Sequence, residues 1–321
     1  MLITLEETSA MIRQGRTLHI AADDALLQQL PKGRWIGGTT PYFSSEEGGI
    51  FTKEKLFVTE IDFAEEIRIA SYGKYNVFQI MEECYDNCLT LLIMPYGSEV
   101  ANKYAKEAPE VEELLMRPTL GWISGFDLNA PGAAKVYNGE TGESFTDRAV
   151  VMYCRLPKEQ TVLINMINLF TDDKADPVIR FDVNELEVTD CTVDGVKVNF
   201  AEYIRQKGID PSMPLVSDHN GSYLNTSIRE VREKEVSLYA PVYRNIEYRF
   251  ASHVDDYAAE FMRRLNEQGQ RKPVFSCNCI LNFQLGNLEG KKTLPFIGPV
   301  TFGEVAYQLM NQTLVYCEIV G

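Results

Sequence analysis

The run LTLLIM at positions 89–94 constrains the fold more than any other stretch of this chain. Five of its six residues are apolar, and Pro95, Tyr96 and Gly97 stop it at strand length. A short apolar run without polar alternation reads as a strand buried on both faces. Before it, positions 77–85 repeat apolar residues at helical spacing, and a polar helix is expected from Ser98. Helices and strands therefore alternate through the first hundred residues, as in layered α/β proteins.

The rest of the chain reads as follows. Positions 5–14 predict a helix and positions 17–21 a strand. RWIGGTT (34–40) reads as a strand that ends in a Gly-Gly-Thr-Thr turn. The Gly- and Pro-rich stretch 121–132 reads as a loop, and 134–137 with 149–154 as the arms of a hairpin. A strand is expected at 161–170, and the polar TDDKAD (171–176) marks a boundary. Asp194-Gly195 is the strongest hairpin signal, because Gly accepts the positive φ that a primed turn requires. A short helix over 201–207 ends at Gly208. An amphipathic helix follows over 254–266, with strands over 274–283 and 313–320.

Charge narrows the partners. The 321 residues carry 46 acidic against 31 basic side chains, a net charge of −15. Nucleic acids and anionic membrane surfaces are bound through Lys and Arg, so both are excluded as expected partners. No apolar run approaches the roughly 20 residues of a membrane-spanning helix, and the first residues lack a secretory layout, which predicts a cytoplasmic protein. The seven cysteines are odd in number and mostly lie in apolar runs, the pattern of reduced thiols rather than a disulfide framework. His19, His219 and His253 show no metal spacing. No phosphate loop or other cofactor motif is present, so no cofactor is expected.

Two segments resemble a known family. PVFSCNCILNF (273–283) and FIGPVTFGEVAYQLMNQTLVYCEI (296–319) resemble the C-terminal domain of the FIST family through Phe275-Ser276-Cys277, Gly298, Phe302-Gly303-Glu304 and Asn311-Gln312-Thr313. DGVKVNFAEYIRQKG (194–208) is similar to the hairpin and helix that open that domain, and RWIGGTT resembles a strand and turn of the family's N-terminal domain. After the Phe-Ser-Cys strand, Asn278-Cys279-Ile280 stand where the family often has an Arg. The resemblance implies an α+β protein of two related halves, 1–175 and 176–321, with mixed, largely antiparallel sheets covered by helices. It also implies a non-enzymatic sensory module that binds a small polar metabolite, such as an amino acid, and signals through a protein partner.

The candidate ligand-binding residues are Thr39, Thr40, Arg229, Ser276, Cys277, Asn278 and Glu304. Thr39 and Thr40 follow a Gly-Gly pair whose N–H groups would suit an anion, a tight turn being the plain alternative. Arg229 and Arg232 lie in the mixed-charge SIREVREKE, where most charges form a solvated face; one Arg there would pair a ligand carboxylate. Cys277 and Cys279 share one strand face, as a structural pair, a thiol pair or two ligands of a metal that still needs two more. A Cys277 nucleophile with His219, in the turn-like SDHNG, or with His253 would make a thiol enzyme, although no local motif marks one. Glu304 stands at the expected start of a helix over 305–310, either favouring the helix dipole or accepting from a ligand amine. An adaptor without a ligand is the remaining reading.

Overall fold

Strand Cys88–Pro95 is buried at every residue, and its two faces serve two different cores. Leu89, Leu91 and Ile93 pack with Ile36, Phe57 and Trp122. Leu92 and Met94 face Val100 and Tyr104 of helix Glu99–Glu107. The apolar run is thus a central strand with a sheet on one side and helices on the other. The computed structural model that shows this describes residues 1–219, 222–269 and 271–321, Leu115 by its backbone alone. Positions 220 and 221 of SDHNG therefore lie outside the described residues. The fold is α+β.

The central sheet has the order Gln308–Met310, Glu304–Ala306, Thr119–Ser124, Cys88–Pro95, Arg148–Arg155, Glu66–Gly73. Cys88–Pro95 and Thr119–Ser124 run parallel, with Glu99–Glu107 in the connection between them; Ser98 caps that helix by accepting from Ala101 N–H. A second sheet lies across the first core: Leu2–Ile3, Leu56–Glu60, Leu18–Ala22, Trp35–Thr39, Val136–Asn138, Glu143–Phe145. Helix Leu5–Arg13, held by the Thr4 and Glu7 capping box, is the N-terminal helix expected from the sequence. It sends Ile12 into a core with Leu18, Ile20, Trp35 and Val58.

A third sheet runs Thr161–Asn168, Thr313–Val320, Phe275–Cys279, Gly298–Thr301, Tyr42–Ser45, Gly48–Phe51. Its ladders cross position 175: Thr161 pairs with Val320, and Gly298 with Ser44. Glu304 likewise pairs with Trp122 in the central sheet. Residues 179–250 have a core of their own, with Phe181 edge-on to Phe200 (5.2 Å between centroids) and to Tyr248 (5.7 Å). Within this smaller unit, Asp194 and Gly195 adopt φ of 49° and 83° and close the expected hairpin Asp190–Val193 to Val196–Asn199.

Several local expectations are corrected by packing. Gly37 and Gly38 do not turn; they continue strand Trp35–Thr39, and a Cβ on Gly38 would lie 2.7 Å from both Ile93 and the Trp122 ring. Gly121 belongs to buried strand Thr119–Ser124, not to a loop, because it passes close to the Leu92 carbonyl. Val136–Asn138 makes its hairpin with Glu143–Phe145, while Arg148–Arg155 joins the central sheet. The expected strand 274–283 stops at Cys279 and continues as helix Ile280–Leu285. No helix begins at Glu304: Glu304–Ala306 and Gln308–Met310 form a hairpin through Tyr307 at φ 63°. The helix-dipole role expected of Glu304 falls with it. Among the described residues, no helix is long and apolar enough to cross a membrane.

Candidate functional site

Apart from the buried Asn278 Nδ2, which has no hydrogen-bond partner among the described residues, the polar groups expected around 39–40 and 276–278 are spent on the fold. Thr39 Oγ1 donates to the Gly125 carbonyl (2.6 Å) and accepts from Lys135 N–H (3.0 Å). Thr40 Oγ1 donates to the Val300 carbonyl (2.7 Å), and Ser276 Oγ to the Ile297 carbonyl (2.8 Å). Asn278 Oδ1 accepts from Asn282 Nδ2 (2.9 Å). All four residues are buried. With Gly37 and Gly38 in a sheet ladder, no anion-binding turn forms there.

Cys277 is buried in the core between sheets, where its Sγ donates to the Gly121 carbonyl (3.6 Å). Burial pushes its thiol well above the ordinary range, the reverse of what a nucleophile requires. The histidines stand elsewhere. His219 Nε2 is 3.0 Å from Ser217 Oγ, His253 is 3.6 Å from Asp255, and buried His19 accepts from Trp122 Nε1 (3.0 Å). The Cys277–histidine pair is therefore not assembled.

Glu304 is fully buried. Thr301 Oγ1 donates to its Oε1 (2.7 Å) and Thr313 Oγ1 to its Oε2 (3.0 Å). Burial raises its pKa to about 8 against these bonds, so the side chain is predominantly protonated at neutral pH. Behind Cys279, it acts as a neutral hydrogen-bonding group rather than as a charge.

Arg229 is different. Strand Ile228–Val231 pairs with Val236–Val242, and the register slips between Ile228 opposite Leu238 and Glu230 opposite Ser237. Arg229 is thus the extra residue of a β-bulge, a device that re-aims a side chain away from the regular ladder. Nearby Arg232 is occupied, at 2.8 Å from Glu230 and 3.1 Å from Glu235. Arg229 has no carboxylate within 4.0 Å among the described residues; its guanidinium lies 5.9 Å from the centroid of the Tyr96 ring.

The space beside Arg229 comprises two cavities, of about 150 Å³ and about 290 Å³, that share Tyr96, Arg229, Tyr239 and Phe302 in their walls. Tyr96, Phe126 and Phe302 form one aromatic wall with centroids 5.0–5.9 Å apart. Cys279 and Asn311 close the smaller cavity. Asn311 Oδ1 accepts from Ser227 N–H (2.9 Å), while its buried Nδ2 has no partner among the described residues. The Tyr96 and Tyr239 hydroxyls have no protein hydrogen bond among the described residues, and burial raises both their pKa values.

Topology explains why these residues meet. Tyr96, Phe126, Cys279 and Phe302 stand at or just beyond the carboxyl ends of strands Cys88–Pro95, Thr119–Ser124, Phe275–Cys279 and Gly298–Thr301. These strands form two parallel pairs, and the crevice at the carboxyl ends of parallel strands is where open α/β sheets bind ligands. Arg229 and Tyr239 come across the gap from the smaller unit. Of the candidates expected from the sequence, the structure places Arg229 in this cleft and Glu304 one layer behind it. The aromatic wall and Asn311 were missed: single aromatic residues after strands carry no local signal.

No curated protein matches the chain. A family model described as a family of unknown function, DUF6976, matches residues 3–320, and the chain belongs to that family.

Proposed function

We propose that this protein is a small-molecule-binding sensory module of the FIST type, and that the Arg229 cleft is its ligand site. The observation that carries the reading is a bulge-directed guanidinium with no carboxylate within 4.0 Å among the described residues, facing an aromatic wall at the carboxyl ends of two parallel strand pairs. Such a guanidinium suits a carboxylate, which it binds through two parallel N–H bonds. Tyr96 and Phe126 offer faces to an apolar side chain or an ammonium group. Tyr96, Tyr239 and Asn311 supply hydroxyl and amide groups for the remaining polar atoms. Small amino acids combine these features and suit a cavity of this size.

The cleft lies between the smaller unit and the main body, so a ligand bridging them favours one relative arrangement. A signal then passes by population shift to a protein partner. We read the module as cytoplasmic and non-enzymatic. A thermal-shift panel of amino acids and other small carboxylates, run with wild type and Arg229→Ala, tests the reading. A ligand at about 100 times its Kd stabilises by about 2.7 kcal/mol. A saturable shift in wild type that disappears in the variant is expected. A flat response across the panel favours an adaptor without a small ligand.

A further inference from the structure

The seven cysteines are not equivalent. Six are buried, and Cys84 alone is partly exposed. It follows helix Gln79–Glu82, and three residues separate it from Cys88, the first residue of strand Cys88–Pro95. Both sulfurs reach the same hydroxyl: Cys84 Sγ is 3.5 Å and Cys88 Sγ 3.8 Å from Thr90 Oγ1. The two sulfurs thus converge on one side of the Thr90 hydroxyl. Arg117 stands beside Cys84 and is held there by donating from Nη1 to the Tyr85 carbonyl (3.0 Å).

This arrangement favours charge on one sulfur and withholds it from the other. The Cys88 hydrogen bond, then Thr90 and the Arg117 charge, lower the Cys84 pKa against its partial burial. Cys88 is raised by giving that hydrogen bond and by burial. Burial likewise pushes Cys191 and Cys317 up to about 12, and raises Cys154, Cys277 and Cys279. Thiolate character and access together select which cysteine an oxidant meets.

We propose that Cys84 and Cys88 form an oxidation site, with Cys84 as the thiol that reacts with a hydroperoxide and Cys88 as the resolving thiol. The Cys84 sulfur attacks the peroxide oxygen and the O–O bond breaks. One oxygen stays on sulfur as sulfenic acid, and the other leaves as alcohol or water, taking a proton. Cys88 sulfur then attacks Cys84 sulfur; the S–S bond forms, the S–O bond breaks, and the hydroxyl leaves as water with the Cys88 proton. Two thiols lose two electrons and one hydroperoxide gains them. The disulfide ties the end of helix Gln79–Glu82 to the start of the central strand.

The test treats the reduced full-length protein with a few equivalents of hydrogen peroxide. Free thiols are then alkylated under denaturing conditions and located by peptide mass mapping. Cys84 and Cys88 are expected to escape alkylation together, in a peptide two hydrogens lighter that regains both labels after reduction. The other five cysteines stay labelled. Cys88→Ser is expected to stop at a Cys84 sulfenic acid trapped by dimedone. In the untreated native protein, iodoacetamide is expected to modify Cys84 at least tenfold faster than any other cysteine. Preferential oxidation of a different cysteine, or seven free thiols after peroxide, overturns the proposal. So does progression of wild-type Cys84 to sulfinic acid without pairing. The wild-type map stands even if the Ser variant folds poorly.

Discussion

Arg229 and Tyr96 face each other across the gap between the two units, the guanidinium 5.9 Å from the ring centroid. One is the extra residue of a bulged edge strand in the smaller unit, the other follows the central strand of the main body. The pair defines the cleft on which the functional reading rests.

Replacing Arg229 separates binding from folding. The residue is exposed and makes no ion pair among the described residues, so Arg229→Ala is expected to change stability by no more than about 0.5 kcal/mol. Any carboxylate ligand found by thermal shift is expected to lose affinity at least tenfold. Arg229→Lys, which keeps the charge but not the planar fork, should recover only part of it. Isothermal titration of the three proteins decides; equal affinities would remove Arg229 from the site.

Two buried groups give opposite pH dependences. Burial holds His19 at about 3 against 6.5, so its contribution is complete above 6.5 and is lost as pH falls towards 3. Burial holds Glu304 at about 8 against 4.5, so its contribution is complete below 4.5 and is lost as pH rises towards 8. Within each window the slope is about 1.4 kcal/mol per pH unit, and between 4.5 and 6.5 the two oppose each other. Urea unfolding at several pH values is expected to show Glu304→Gln losing stability towards acid, and His19→Gln losing it towards alkali. Profiles parallel to wild type in both variants would contradict the assignment.

Gly38 is required by sheet packing. A Cβ at 2.7 Å from Ile93 and Trp122 must move a central strand or an indole ring. Gly38→Ala is expected to cost about 1–3 kcal/mol in urea unfolding. Ile93→Ala, which removes the Cγ2 methyl facing Gly38, should cost less in the Gly38→Ala background than in wild type; equal costs would place the strain elsewhere.

Asn225 links the two units. Its Nδ2 donates to Asn168 Oδ1 (3.0 Å) and its Oδ1 accepts from Asn168 Nδ2 (2.9 Å), with the Asn311 carbonyl 3.2 Å away. Asn225→Ala leaves a buried amide without its partners and is expected to cost about 1–3 kcal/mol. Because the cleft spans the same joint, ligand affinity should fall as well. Unchanged unfolding and binding would show that the joint holds without this pair.

The sequence by itself determined the elements whose signals are local. Thr4 with Glu7 started the first helix, Asp194-Gly195 turned its hairpin, and the run 89–94 was a doubly buried strand. In each, the residues that set the conformation are neighbours along the chain. The chain could not declare which strands would meet. Gly37, Gly38 and Gly121 have the composition of turns, yet they lie in strands because side chains or backbone from distant strands press against them. Glu304 looked like a helix start until its pairing with Trp122 made it a strand. Arg229 and Arg232 are equivalent in a charge pattern; three-dimensional pairing neutralised Arg232 and left Arg229 facing an aromatic wall. Sequence thus encoded local conformation and burial, whereas contacts between residues far apart in the chain, which only packing brings together, decided the architecture and the cleft.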